Sequence, residues 1–220
     1  MKPSLKNWFI NGWYIYKKQW INVVMAYLTI FALSLFFVLL PKYFSFFAIF
    51  VIPILYIGFN YLCINAVKNE SKFSHLFEGF KRYGASLGVH ILYSLIVISG
   101  IILMILPGII WAISNGLASF AMLDKKLSPI QALQLSRKIT AGHRFKLFII
   151  GLVKFIGNCL TILNSKEIGE ILIAKSHILK FILQQKWLGW ICCFIGIGLL
   201  IPFSTCTFAV AYTELSEEAE

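Results

Sequence analysis

Residues 85–123 read ASLGVHILYSLIVISGIILMIL (85–106), then Pro107-Gly108, then IIWAISNGLASFAML (109–123), without one Asp, Glu, Lys or Arg. A helix rises about 1.5 Å per residue, so a hydrocarbon core of about 30 Å takes about 20 residues to cross. The first arm is long enough. The second completes its crossing only with Pro107 and Gly108 or with some local thinning. Pro and Gly at the centre of an uncharged run predict a tight turn at one membrane surface. The stretch therefore predicts a helical hairpin in lipid.

Composition agrees. Hydrophobic residues make up 59% of the 220 and charged residues 13%, with a mean hydropathy of +0.81. A soluble domain of this length neither needs nor hides so much apolar surface. Only helices and closed barrels satisfy their backbone groups in lipid, and long unbroken apolar runs select helices over the alternation of barrel strands. The net charge of +11 would suit nucleic acid if the basic residues shared one polar face. They lie instead in short segments between apolar runs, where a membrane protein meets anionic headgroups. Membrane lipids are the expected partners, with a protein partner or a second copy as further options, and nucleic acid is not expected.

Five cysteines (Cys63, Cys159, Cys192, Cys193, Cys206) fall in or beside apolar runs, and no C-x-x-C spacing occurs. They read as small buried hydrophobes, with no metal or cofactor implied. The run Ile21–Leu40 exceeds a signal-peptide core, and Leu39-Leu40-Pro41-Lys42 is no cleavage site, so this run is expected to stay as an anchor.

Taken in order, residues 1–19 set Lys2, Lys6, Lys17 and Lys18 among aromatics. Ser4 is placed to cap a helix whose Leu5, Trp8, Phe9, Trp13 and Tyr16 share a face, as in a helix lying in the headgroup layer. Spans are predicted at about 21–40, 44–67, 85–106, 107–123, 145–163 and 188–212, with kinks at Pro53 and Pro202. Asn60 and Asn65 are placed to bond across helices. Between spans, Phe73, Leu76, Phe77 and Phe80 recur at helical spacing in a surface helix ended by Gly84. Ser128-Pro129-Ile130-Gln131 is a capping box with a first-turn proline, and Gly142 stops the helix it starts. Residues 164–187 carry charges too often to cross lipid and read as interfacial or re-entrant. An acidic tail, Glu214 to Glu220, follows the last span. Amphipathic segments at about 4–18, 72–83 and 129–141 each lead into a pair of spans, a pattern of three related hairpins. The expected fold is all-α: a single polytopic domain of about six transmembrane helices with amphipathic interfacial helices.

Counting Lys and Arg sets the orientation. With the N-terminus inside, fourteen fall on inner segments and five (Lys42, Lys166, Lys175, Lys180, Lys186) on outer ones, with Lys154 in a span. Both termini are expected to be cytoplasmic.

Leu106-Pro107-Gly108-Ile109-Ile110, Leu117-Ala118-Ser119-Phe120 with Asp124, Ala132-Leu133-Gln134-Leu135-Ser136-Arg137 and Gly142-His143-Arg144 together form a pattern that resembles the six-helix membrane domain attached to some bacterial glycerophosphodiester phosphodiesterases. It is similar too to the stand-alone integral membrane proteins related to that domain, mostly of unknown function. The likeness is best over 71–150, fair at 196–214 and thin before Lys68. It implies a six-span fold of the bacterial cytoplasmic membrane, and no chemistry, since the chain holds no phosphodiesterase domain. Relatives often carry a basic residue and a Tyr before the Leu-Ala of the fourth span; here Ser114-Asn115-Gly116 stands there.

All nine acids lie outside the predicted spans, whereas ion-coupled carriers use carboxylates at depth. Neither clustered acids nor a nucleophile, zinc or P-loop motif occurs, so an enzyme is not expected. Two sets of side chains remain. Lys81, Arg82, Arg137, Lys138, Arg144 and Lys146 are candidates to hold lipid headgroups. His90, Asn115, Ser119 and Lys154 are candidate polar groups within the membrane, whose ordinary roles are snorkelling and helix–helix hydrogen bonding. Gly84-x-x-x-Gly88 is a possible close-approach seam. The expected function is a non-enzymatic membrane or lipid-homeostasis scaffold; the alternative is a transporter or channel for a small or lipidic solute.

Overall fold

A computed structural model describes residues 4–41, 46–162 and 195–219, and every regular element in them is a helix. In chain order these are α1 (Leu5–Lys18), α2 (Trp20–Leu39), α3 (Ala48–Val67), a 3-10 turn (Phe73–Phe77), α4 (Glu78–Lys81), α5 (Tyr83–Leu103), α6 (Ile105–Asn115), α7 (Ala118–Asp124), α8 (Pro129–Thr140), α9 (Arg144–Ile162) and, after a π turn (Gly196–Leu200), α10 (Ile201–Glu218). Among the described residues, five helical stretches are long and apolar enough to cross a membrane: Trp20–Phe37, Ala48–Val67, Tyr83–Leu103, Ile105–Asp124 and Gly196–Glu218. They match five of the six expected spans. The other, expected at 145–163, is the helix α9 and is not among the five. The segment 164–187, the start of the last span and Cys192-Cys193 lie outside the described residues.

Two helices form the centre. In their most apolar 18-residue windows, 67% of residues are buried in Gly196–Glu218 and 56% in Ala48–Val67, against 17% in Tyr83–Leu103 and 22% in Trp20–Phe37. Helix α10 sits inside because its side chains are small and its hydroxyls bond its own backbone: Ser204 and Thr205 donate to Ile201 O at 2.9 Å, and Thr207 to Phe203 O at 3.0 Å. Hydroxyls satisfied this way are tolerated in an apolar bundle. The outer helices turn apolar side chains outward, among them Met25, Phe36, Ile91, Leu95, Ile102 and Phe155. Water would oppose so continuous an apolar exterior; lipid suits it.

The structure moves the hairpin turn. Helix α5 ends at Leu103, Met104 is extended (φ −168°, ψ 149°), and Pro107 and Gly108 lie in the first turn of α6. Pro107 needs no backbone N–H in that turn. Gly108 has a different task. A Cβ on it would stand 2.8 Å from Ile101 N, and one on Gly100 2.8 Å from the Gly108 Cα. The two glycines let α5 and α6 touch backbone to backbone.

Two further expectations, the helix stop at Gly84 and the Gly84–Gly88 seam, need correction. Gly84 does not end a helix but lies inside α5, and the amphipathic stretch before it is a 3-10 turn plus a single α turn. A Cβ at Gly84 would meet nothing and one at Gly88 would meet Pro129, so the two form no seam. The acidic tail is helical through Glu218, and Trp8 Nε1 donates to Glu214 Oε2 at 2.7 Å. That bond docks α1 on α10. Trp8 is fully buried and Tyr16 nearly so, its hydroxyl donating to Gly198 O, while Ser4 precedes α1 without a side-chain cap. The capping box at Ser128 is present, with Ser128 Oγ accepting from Gln131 N and Gln131 Oε1 from Ser128 N, and Gly142 follows α8 at φ +84°. Pro202 stands where the π turn passes into α10.

Candidate functional site

The fourth span is broken. Helix α6 stops at Asn115 and α7 starts at Ala118, leaving Gly116 and Leu117 between them. A break in an apolar stretch exposes backbone groups that need partners. Helix α8 supplies them. Ser136 Oγ accepts from Leu117 N at 3.2 Å and donates to Ser114 O at 2.9 Å, and Thr140 Oγ1 lies 3.2 Å from the same carbonyl. The capping box fixes where α8 begins, so these hydroxyls, two and three turns on, meet the break.

The break presents Asn115 with both ends of its amide engaged. Its Nδ2 donates to Trp111 O at 2.8 Å, and its Oδ1 accepts from Arg137 Nε at 2.9 Å. Asn115 is 2% exposed and forms part of two hollows.

The first is a cavity of about 600 Å³ at the bundle centre, and it gathers all four intramembrane candidates: His90 from α5, Asn115 from α6, Ser119 from α7 and Lys154 from α9. Asn60 and Asn158 complete its polar lining. Asn60 Nδ2 donates to Ser119 Oγ at 2.8 Å, the cross-helix bond expected of it, whereas Asn65 bonds its own helix at Tyr61 O. Apolar and aromatic residues, Tyr93, Phe120 and Phe208 among them, make up the rest, and among the described residues no carboxylate lines it. Lys154 Nζ lies 6.0 Å from the Phe208 ring centroid, within cation–π range. The cavity thus has an apolar body, amide and hydroxyl groups, and a cationic side chain beside which the described residues place no acid.

The second hollow is a recess of about 440 Å³ on the other side of Asn115, with Arg137 and Arg144 at its edge and Ser99, Trp111, Ser114 and Asn115 along its wall. Of the six basic residues expected at headgroups, only these two arginines meet there. The others are engaged elsewhere. Lys81 pairs with Glu78 at 2.7 Å, Arg82 donates to Met122 O, Lys138 to Ala219 O, and Lys146 lies 5.7 Å from the Trp8 ring centroid.

Several partners escaped the sequence. Asp124 pairs with Lys68 at 2.8 Å and accepts from Tyr212 OH at 3.0 Å, tying the ends of α3 and α7 to α10. Its signal was its place, the first charge after the long uncharged run. Cys63 and Cys206, buried with their Sγ atoms 3.9 Å apart, are 143 positions apart in the chain, and no spacing rule finds such a pair. Among the described residues no group of three or more His, Cys, Asp or Glu is placed to hold a metal. Comparisons of the chain with protein-family models, with curated proteins and with solved structures gave no match.

Proposed function

We propose that this chain is a multi-pass protein of the bacterial cytoplasmic membrane that binds an amphipathic solute in its central cavity, and that it moves or presents that solute without catalysing a reaction. One observation carries this reading: His90, Asn115, Ser119 and Lys154, on four different helices, line the same hollow. Ser119 and Asn115 are also bonded across helices, to Asn60 and Arg137, so the weight falls on Lys154. A lysine beside which the described residues place no acid, set in an aromatic wall, favours a solute with an anionic or hydrogen-bond-accepting end and an apolar body. This puts the solute-handling reading ahead of the scaffold.

The same proposal takes α9 as the sixth span, since 19 residues rise about 28 Å, and places both termini in the cytoplasm by the distribution of Lys and Arg. The three-hairpin pattern and the kinship with the six-helix phosphodiesterase membrane domains belong to it too. Cysteines at positions 42 and 128 in a Cys-free background test the orientation: outside label reaching both equally defeats it.

The cavity is tested by purifying the full chain in native lipid and identifying what it retains by mass spectrometry. Two variants disable the site differently. Lys154→Gln removes the cation. Gly151→Leu fills the space, because a Cβ there meets only Phe208 Cζ at 3.8 Å and a larger side chain has room to grow. A species retained by the wild type and lost from both supports the reading. Identical retained species in all three proteins would overturn it.

A further inference from the structure

The recess beside Asn115 is a second site with its own chemistry. We infer that it binds a phosphate group, the phosphodiester of a phospholipid headgroup or a free phosphate, between Arg137 and Arg144. Guanidinium forks match phosphate oxygens in geometry and stay charged at any physiological pH. Among the described residues neither arginine has an acid partner. Arg137 is held in place by its Nε bond to the buried Asn115, which leaves its terminal nitrogens for another acceptor. Arg144, two residues after the Gly142 turn, carries no hydrogen bond within the described chain.

An independent observation lies in the wall between them. Ser114 is 4% exposed and its Oγ has no hydrogen-bond partner among the described residues. Leaving a buried hydroxyl unpaired is costly, and Ser114 is one of the residues that line the recess. A phosphate oxygen accepting from Ser114 Oγ and from both guanidiniums satisfies all three donors at once.

The surroundings match a lipid better than a free ion. Trp111 and Ile110, part of the wall, are exposed on the apolar exterior, and beside them the outward face of α5 presents Ile98, Ile101 and Ile102. Acyl chains have a path along that face while the phosphate sits on the arginines.

The test uses the full chain and native mass spectrometry with three probes: dioleoylphosphatidylglycerol, dioleoylglycerol with the same tails and no phosphate, and inorganic phosphate. Phosphatidylglycerol binds and dioleoylglycerol does not. Excess inorganic phosphate that leaves the lipid bound identifies the headgroup as the ligand; displacement identifies phosphate itself, and either supports the site. Arg144→Gln weakens phosphatidylglycerol about tenfold, the loss of one charge-assisted hydrogen bond, and Ser114→Ala weakens it less. The Arg144 side chain has no bond to lose among the described residues, so its variant is expected to keep the wild-type melting temperature. Lys81→Gln and Lys138→Gln leave binding unchanged. In Lys154→Gln and Gly151→Leu the difference of about tenfold between Arg144 and Arg144→Gln persists, whatever those variants do to the central cavity, which separates failure here from failure there. Wild-type affinity in Arg144→Gln, or equal binding of dioleoylglycerol, would overturn the inference.

Discussion

Arg137 Nε donates to Asn115 Oδ1 across 2.9 Å, joining the helix that follows the fourth span to the point where that span is broken. Asn115 was expected inside the membrane and Arg137 at its surface; the bond puts them in one unit. A hydrogen bond from a charged donor contributes about 1.5–3 kcal/mol, and removing one partner leaves the other short. Asn115→Ala and Arg137→Gln are each expected to destabilise the fold by about 1–3 kcal/mol. The double variant falls short of their sum by about 1–2 kcal/mol, as contacting residues do. Equilibrium unfolding of the four proteins in mixed micelles measures the coupling, and strict additivity counts against the bond.

Trp8 and Glu214 fasten the chain's beginning to its end. Trp8 is fully buried, its Nε1 is 2.7 Å from Glu214 Oε2, and His143 and Lys146 approach the same ring. Trp8→Ala should cost about 3–5 kcal/mol, the range for a large core residue. Glu214→Gln keeps an acceptor and should cost under about 1 kcal/mol, while Glu214→Ala strands the indole N–H at about 1–3 kcal/mol. Hydrogen exchange along α1 reports both. Equal protection of α1 in Trp8→Ala and wild type would mean that α1 does not depend on this dock.

These two contacts mark where sequence reading stops. Helical class and five spanning stretches follow from local hydropathy, and the α8 capping box from a four-residue motif, because their causes lie within a few residues of their effects. Trp8 and Glu214 are 206 positions apart. The period of α1 shows that Trp8 has an apolar face to bury but not whether lipid or α10 covers it. The candidates His90, Asn115, Ser119 and Lys154 were each legible as polar residues in apolar runs. Their meeting in one cavity was not, since it depends on the crossing of four helices and on a break that α8 stabilises from outside the span. The turn was misplaced for a local reason. Pro is as well suited to a helix's first turn as to a loop, and the close approach of Gly100 and Gly108 has no signature in either arm alone.

That approach makes a paired prediction. Gly108→Val places a side chain against Ile101 and the α5 backbone, and overpacking of this kind costs about 1–3 kcal/mol or more. Gly84 also lies inside α5, yet nothing stands within 4 Å of a Cβ there. Gly84→Ala should therefore stabilise the helix by about 0.5–1 kcal/mol through propensity alone. Thermal unfolding followed by circular dichroism separates the two. A stabilising Gly108→Val would remove the backbone contact from the account of this hairpin.

His75, in the 3-10 turn outside the spans, gives the chain a pH dependence of known sign. Burial holds its pKa below the ordinary 6.5, with Lys72 and Lys81 pushing the same way and Glu78 and Glu70 opposing. Geometry agrees, because His75 Nδ1 accepts from Lys72 N at 3.3 Å and a protonated nitrogen cannot accept. Between the depressed folded-state pKa and 6.5 the unfolded chain binds more protons than the folded one, so stability rises with pH across that window. The His75 contribution is complete above about pH 6.5 and is lost as the pH falls toward the folded-state value. His75→Gln removes it. Melting temperatures of wild type and variant should differ more at neutral pH than in mild acid, after the groups common to both cancel. A difference that grows as the pH falls would reverse the sign and place the proton on His75 in the folded state.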